Sequence, residues 1–382
     1  MIGIALLGST GSIGSQTLEV VRAAPDRYRL VALAAGHAND DFDAQVRGWP
    51  DARVWAAGGK VPDLAPGRWA DGGLEELATL KGADIVVVAT TGMTALPAVL
   101  AALHAGRRVA LANKETLVAG GHLVRDALPA DAADRLDWLR PIDSEHSAIW
   151  QCLRGERMDD VARLILTASG GPFRDRDPAD LSDVTPADAL AHPTWQMGPK
   201  ITIDSATLVN KAFEAIEAKW LYDLPYPRIT AVLHPGSIVH SLVEFVDGSF
   251  KAQLGLPDMR LPIQFALSYP ERHPGPARVA APEDWQPLTF APLPPGRFPA
   301  YDAVRAAAEA GGNRGTVVNA ADEVAINGFL SGTLRFREIA TTIQRAVERW
   351  GNDTEPTLEE IAALDNEVRG ALRDELGMGA VA

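Results

Sequence analysis

The chain has little cysteine, few basic residues and no long apolar run, and each shortage excludes something. One cysteine, Cys152, in 382 residues rules out an intrachain disulfide and a thiolate zinc cluster, and suits a reducing compartment. No apolar run approaches the roughly 20 residues of a membrane span. Lys and Arg number 36 against 50 Asp and Glu, a formal charge of -14. That balance excludes nucleic acid and anionic membrane as partners, because both require a basic face. A small anionic substrate must therefore be met by a local pocket of donors. The opening MIGIALLGSTGSIG has no basic residues before its apolar part and no cleavage signal, so it reads as a strand entering a glycine turn rather than a targeting segment.

What is present points to an α/β protein of several domains. Its 47% hydrophobic content fits ordinary globular chains, and its length suits two or three cores. IGIALLG, RLVALAAG, ADIVVVAT and RRVALAN read as buried strands, alternating with helical segments such as SQTLEVVRAAP and GMTALPAVLAALHAG. Repeated β-α-β order implies a Rossmann-like parallel sheet over residues 1–142. Residues 143–270 read as a central α+β domain, with a hairpin between SIVHSLVEF and SFKAQLG turning at Asp247 and Gly248. Proline crowds residues 271–300, which read as a linker, and residues 301–382 read as a C-terminal α-helical bundle.

Three motifs carry chemistry. GSTGSIG at 8–14 lies between a strand and a helix, where absent side chains let the backbone approach a pyrophosphate and the helix start supplies N-H donors. The second strand ends LAAGHAND, without the acid that would receive a ribose 2'-hydroxyl, which favours NADP, with His37 the nearest candidate partner for a 2'-phosphate. The second motif is PIDSEHSAIW. Following the alternating run RLDWLRPI, Asp143 and Glu145 read as positions i and i+2 at a strand end, on one side and roughly 7 Å apart, a repulsion that a divalent cation would relieve. The third is a helix expected over 205–221, capped by Asp204 or Ser205. Its apolar stripe is Val209, Phe213, Ile216 and Trp220; Asn210, Lys211 and Glu214 share another face. Glu214 can complete a three-carboxylate metal set, while Asn210, Lys211 and the ASGG turn with Ser169 offer donors to an anion.

Taken in order, LGSTGSIG, LANKETLVAGG, PIDSEHSAIWQCL, LTASGGPFR, HPTWQMGPKITIDSATLVNKAFEAIEA and LHPGSIVHSLVEF resemble the 1-deoxy-D-xylulose 5-phosphate reductoisomerases over nearly the whole chain. The resemblance implies conversion of 1-deoxy-D-xylulose 5-phosphate to 2-C-methyl-D-erythritol 4-phosphate in non-mevalonate isoprenoid synthesis, with NADPH and Mg2+ or Mn2+, by a homodimer. It implies metal binding by Asp143, Glu145 and Glu214, and substrate contacts from Lys114, Ser144, Glu145, Ser169, His192, Trp195, Ser205, Asn210, Lys211 and Glu214, with Lys114 and the three acids catalytic. On the cofactor side it implies Thr10, Gly11, Ser12, Ile13, Gly36, Asn113, Glu115 and Gly198, with His37 and Asn39 beside them. HPTWQMG is expected to be a lid, closing Trp195 over the substrate. The absence of a transit peptide favours a bacterial cytoplasm over a plastid.

Two departures stand out: Gly36-His37-Ala38-Asn39 where relatives place Lys or Arg with Asn, and Pro199 where a basic residue is expected. A simple NADP-dependent dehydrogenase, or a non-enzymatic NADP sensor, would share the glycine loop but need no three-carboxylate set. The joint presence of Asp143, Glu145 and Glu214 weighs against both.

Overall fold

Ile2–Leu7, apolar but for one glycine, forms β1, and the parallel sheet grows outward from it in the computed structural model. The structure describes residues 1–59, 65–129, 134–192, 197–285 and 287–379. In chain order the first elements are β1, α1 (Ser12–Ala23), β2 (Tyr28–Ala35), α2 (Asp40–Gly48), β3 (Arg53–Ala56), α3 (Gly73–Ala78), β4 (Ile85–Val88), α4 (Leu96–His104), β5 (Arg108–Leu111), α5 (Lys114–Asp126), β6 (Leu139–Pro141) and α6 (Ser144–Leu153). The strands lie in the order β3-β2-β1-β4-β5-β6, every pair parallel. A parallel sheet is covered on both faces, which is why its strands are unbroken apolar runs: Ile4 to Leu7 are all 0% exposed. The direction of strand addition reverses between β1 and β4, and ligands of such sheets bind at that crevice.

The remaining elements are β7 (Val161–Ala168), α7 (Pro186–Leu190), α8 (Pro199–Thr207), α9 (Val209–Tyr222), β8 (Ile229–Leu233), β9 (Val239–Phe245), β10 (Phe250–Leu254), α10 (Arg260–Ser268), β11 (Ala291–Pro292), α11 (Pro299–Ala310), α12 (Arg314–Leu330), α13 (Glu338–Trp350) and α14 (Leu358–Glu375). β7 to β11, apart from the helices, form a mixed sheet in the order β10-β9-β7-β8-β11. The β9-β10 hairpin turns where Gly248 has φ +83° and Asp247 accepts a hydrogen bond from the Ser249 N-H at 2.9 Å. α9 and the C-terminal helices share a core in which Val209, Phe213, Val317, Val324, Ile339 and Val368 are fully buried. Among the described residues no helix is long and apolar enough to cross a membrane.

The chain divides into two units. One comprises Met1–Thr116, Leu123–Gln151 and Asp258–Val279; the other comprises Leu117–His122, Cys152–Pro257 and Ala280–Ala382.

Three local expectations are corrected. The helix expected over 205–221 is two helices, because Leu208 sits in the left-handed region at φ 58°, ψ 15° and ends α8 before α9 begins. Asp204 and Ser205 are therefore not caps. α8 starts six residues before Ser205 at Pro199, whose fixed φ suits a first helical position, and Gly198 is its cap. Nor do Asp143 and Glu145 share a strand: β6 stops at Pro141, the Asp143 carbonyl accepts from the Ser147 N-H at 2.8 Å, and Glu145 lies in the first turn of α6.

Candidate active site

At the switch point the glycine turn is shaped by close backbone approach. Gly8 has φ +92°, and a Cβ there would stand 2.4 Å from the Ala89 carbonyl oxygen; one at Gly14 would stand 2.2 Å from the Gly8 oxygen. No side chain fits at either place. The turn thus delivers the N-terminus of α1 to the carboxyl end of β1, with Gly11 as a cap that makes no side-chain hydrogen bond and with Gly11 and Ser12 exposed. Thr10 and Ile13 are half-buried beside them. Gly36 and His37 follow β2 and are exposed; Asn39 caps α2, accepting from the Phe42 N-H at 3.0 Å. The nearest following acids, Asp40 and Asp41, belong to the first turn of α2 rather than to the strand tip.

The ends of β5 and β6 hold the first unit's reactive side chains. Asn113 is 1% exposed, caps α5 through the Thr116 N-H at 2.9 Å, and donates to the Thr90 and Gly92 carbonyls at 2.8 and 2.6 Å. Its amide fixes the start of α5. Lys114 and Glu115 follow, both buried in the first turn. Lys114 Nζ lies 2.9 Å from Asp143, with side chains only 8% and 14% exposed. Ser144 donates to Glu145 at 2.7 Å. An ammonium, two carboxylates and a hydroxyl therefore gather beside two helix starts.

Within the second unit two further groups stand together. Gly170 and Gly171, at φ +83° and +64°, turn the chain after β7 so tightly that a Cβ at Gly171 would meet the Ser205 carbonyl at 2.6 Å. That approach lays the ASGG turn on α8, and the hydroxyls of Ser169 and Ser205 each stand 3.1 Å from His192 Nε2. Burial lowers the His192 pKa, and the nearby Arg174 cation lowers it further, so the imidazole is neutral at pH 7. Beyond the break at Leu208, Asn210 and Lys211 donate to the two oxygens of Glu214, at 2.6 and 2.5 Å. Lys211 is 3% exposed and Glu214 fully buried, so this is a desolvated ion pair on a face that amphipathic reasoning alone would leave in water.

Sequence reading missed Arg174. Its signal was faint, a basic residue within LTASGGPFR next to the serine already chosen. Trp195 lies outside the described residues; Gly198, after it, caps α8.

Family models described as 1-deoxy-D-xylulose 5-phosphate reductoisomerase match residues 4–121, its C-terminal domain residues 139–222, and the DXP reductoisomerase C-terminal domain residues 254–371. The chain belongs to the 1-deoxy-D-xylulose 5-phosphate reductoisomerase family. The family's reductoisomerase from Thermomicrobium roseum is 50% identical, with 98% of each chain covered, and that from Geobacillus kaustophilus 47%, with 98% of this chain and 99% of that one covered. A crystal structure of DOX-P reductoisomerase in complex with NADPH, fosmidomycin and magnesium superposes with a TM-score of 0.90 at 35% identity, over 99% of both chains. The Zymomonas mobilis enzyme in complex with NADPH gives 0.88 at 36%, over 98% of this chain and 99% of that one.

Proposed function

We propose an assignment of roles within the family's activity, the NADPH- and metal-dependent conversion of 1-deoxy-D-xylulose 5-phosphate. In this reading the substrate is isomerised and reduced to 2-C-methyl-D-erythritol 4-phosphate, a step of isoprenoid synthesis. The observation that carries the site assignment is the fully buried Glu214, whose two oxygens accept from Asn210 and Lys211. With Asp143 and Glu145 it makes three carboxylates against the two ammoniums of Lys114 and Lys211, a negative balance of hard oxygen donors suited to Mg2+ or Mn2+. A bound cation there supplies Lewis-acid stabilisation of developing oxyanions. The exposed glycine turn fits a dinucleotide diphosphate, and NADPH supplies the hydride.

The chain's own groups do the rest. Lys114 holds Asp143 in place and presents an ammonium to charge developing on substrate oxygens. Ser169, Ser205 and neutral His192 bind the substrate phosphate, with Asn210 and Lys211 as further donors and Arg174 adding positive potential. This local pocket answers the acidic charge of the whole chain. Ser144 orients Glu145.

The same reading has a homodimer in a bacterial cytoplasm. Its support is the apolar Val246 and Phe250 at the outer end of the mixed sheet, 68% and 52% exposed, with β10 an edge strand. The compartment is supported by the bacterial relatives and by Cys152, buried, with its thiol pushed by desolvation up to about 11. NADPH oxidation with 1-deoxy-D-xylulose 5-phosphate is the test. Turnover should vanish in EDTA, return with Mg2+ or Mn2+, and be at least about tenfold poorer in kcat/KM with NADH, a preference of roughly 1.4 kcal/mol. Full activity in EDTA would remove the metal assignment.

A further inference from the structure

A charged cluster in the second unit lies outside the sets assigned to metal, substrate and cofactor. Lys200, in the first turn of α8, stands 2.8 Å from Asp204 one turn along and 3.1 Å from Asp322 on α12. Both aspartates are fully buried, whereas Lys200 is 25% exposed, and its ammonium lies 5.0 Å from the centre of the Phe213 ring. One ammonium facing two ionised, desolvated carboxylates would leave a buried negative charge without compensation, an arrangement folded proteins avoid. Asp204 immediately precedes Ser205, the residue whose hydroxyl meets His192.

We propose that Lys200, Asp204 and Asp322 form a latch that fastens α8 to α12 and thereby positions Ser205 in the substrate pocket. Asp322 is then a positioning residue, and its effect on substrate rests on the phosphate-pocket reading of Ser205 given above.

The latch closes on one proton. Burial, and then the charge of Asp204, hold the Asp322 carboxyl well above the ordinary carboxylate range, with Lys200 opposing. In the proposed latch Asp322, where burial and Asp204 both favour the proton, is the protonated member and its O-H donates to Asp204, so that one ammonium, one carboxylate and one neutral acid leave no net charge. Among the described residues, Lys200 and Asp204, both from α8, are the charged groups facing Asp322. Its neighbour Glu323 is engaged elsewhere, 2.9 Å from Arg369 on α14, and Phe213 of α9 presents only its ring to Lys200. The sign follows from linkage. A carboxyl whose pKa rises on folding stabilises the fold fully below its unfolded value, and that contribution is lost as pH rises through the folded value. The latch should loosen on the alkaline side.

The test is hydrogen exchange of residues 199–207 with steady-state kinetics, on the full chain from about pH 6 to 9, comparing wild type with Asp322→Asn, Asp322→Leu and Lys200→Met. Asp322→Asn replaces a neutral acid with a neutral amide. It should keep exchange within about twofold of wild type at pH 7 and abolish the alkaline rise. Asp322→Leu and Lys200→Met should speed exchange about tenfold and raise substrate KM about tenfold, with kcat changed less than about twofold. Lys200→Met, on a partly exposed side chain, keeps the test alive if the leucine variant does not fold. An asparagine variant as loose as the leucine one, or unchanged exchange in Lys200→Met, would overturn the latch. Faster exchange at unchanged KM would overturn the positioning role. In that case Ser205→Ala locates the fault: a raised KM for it means that the latch does not reach the pocket, and an unchanged KM means that the phosphate reading itself has failed.

Discussion

At the level of single residues the buried Lys211–Glu214 pair separates two roles that one substitution would confuse. Glu214→Gln removes a proposed metal ligand and also strands a buried ammonium, which on general grounds costs about 3–5 kcal/mol. The variant should therefore lose both turnover and thermal stability. Lys211→Met with Glu214→Gln takes away both charges, and a melting temperature restored most of the way would assign the stability cost to the stranded lysine charge. If the double variant melts as low as the single one, the pair is not what makes Glu214 structurally necessary. The three acids and the lysine could be named from the sequence because family motifs surround them. Their surroundings could not: that Lys211 is only 3% exposed, or that the Asn113 amide donates to the Thr90 and Gly92 carbonyls, depends on packing partners outside their own motif windows.

Among whole elements, the legible ones were those whose signals are local. The glycine turn, the apolar strands of the parallel sheet and the hairpin at Asp247 and Gly248 each announce themselves within a few residues. The break at Leu208 has no glycine or proline to mark it, and ITIDSATLVNKAFEAIEA keeps helical spacing throughout, so tertiary packing rather than propensity imposes the left-handed residue. Leu208 is 2% exposed and packs with Ala168, Leu233 and Phe298. A non-glycine residue in this region costs about 1 kcal/mol, while truncating a buried leucine costs about 2–5 kcal/mol, so burial wins and leucine stays. This sets an unusual order. Both Leu208→Ala and Leu208→Gly should destabilise, but glycine, relieved of the backbone cost, should be the more stable of the two by about 1 kcal/mol in urea unfolding, the reverse of the ordinary helical preference. Alanine proving the better would mean that position 208 relaxes out of the left-handed region once its side chain is gone.

For the whole molecule, what matters is how the chain is divided. The first unit is finished by Asp258–Val279, a segment that comes only after β7 to β10 of the second. Within it α10 lies against α1, β5 and β6, and its Ala266 carbonyl accepts from Arg140, 5% exposed, at 2.8 Å. A chain cut after residue 151 would leave that guanidinium without its carbonyl and the apolar faces beneath α10 open to water. Fragment 1–151 should accordingly be cut by trypsin at least about tenfold faster than the intact chain, and a protease-resistant, cooperatively melting fragment would refute this. On the ribosome the same division becomes a delay. Between residue 151 and residue 258, at roughly 5–20 residues per second, the nucleotide-binding sheet waits on the order of 5–20 seconds with one side unsheltered. Parallel strands whose apolar faces are uncovered for that long are open to aggregation and to capture by chaperones, so this enzyme's yield in a host should depend on chaperone supply more than on its final stability.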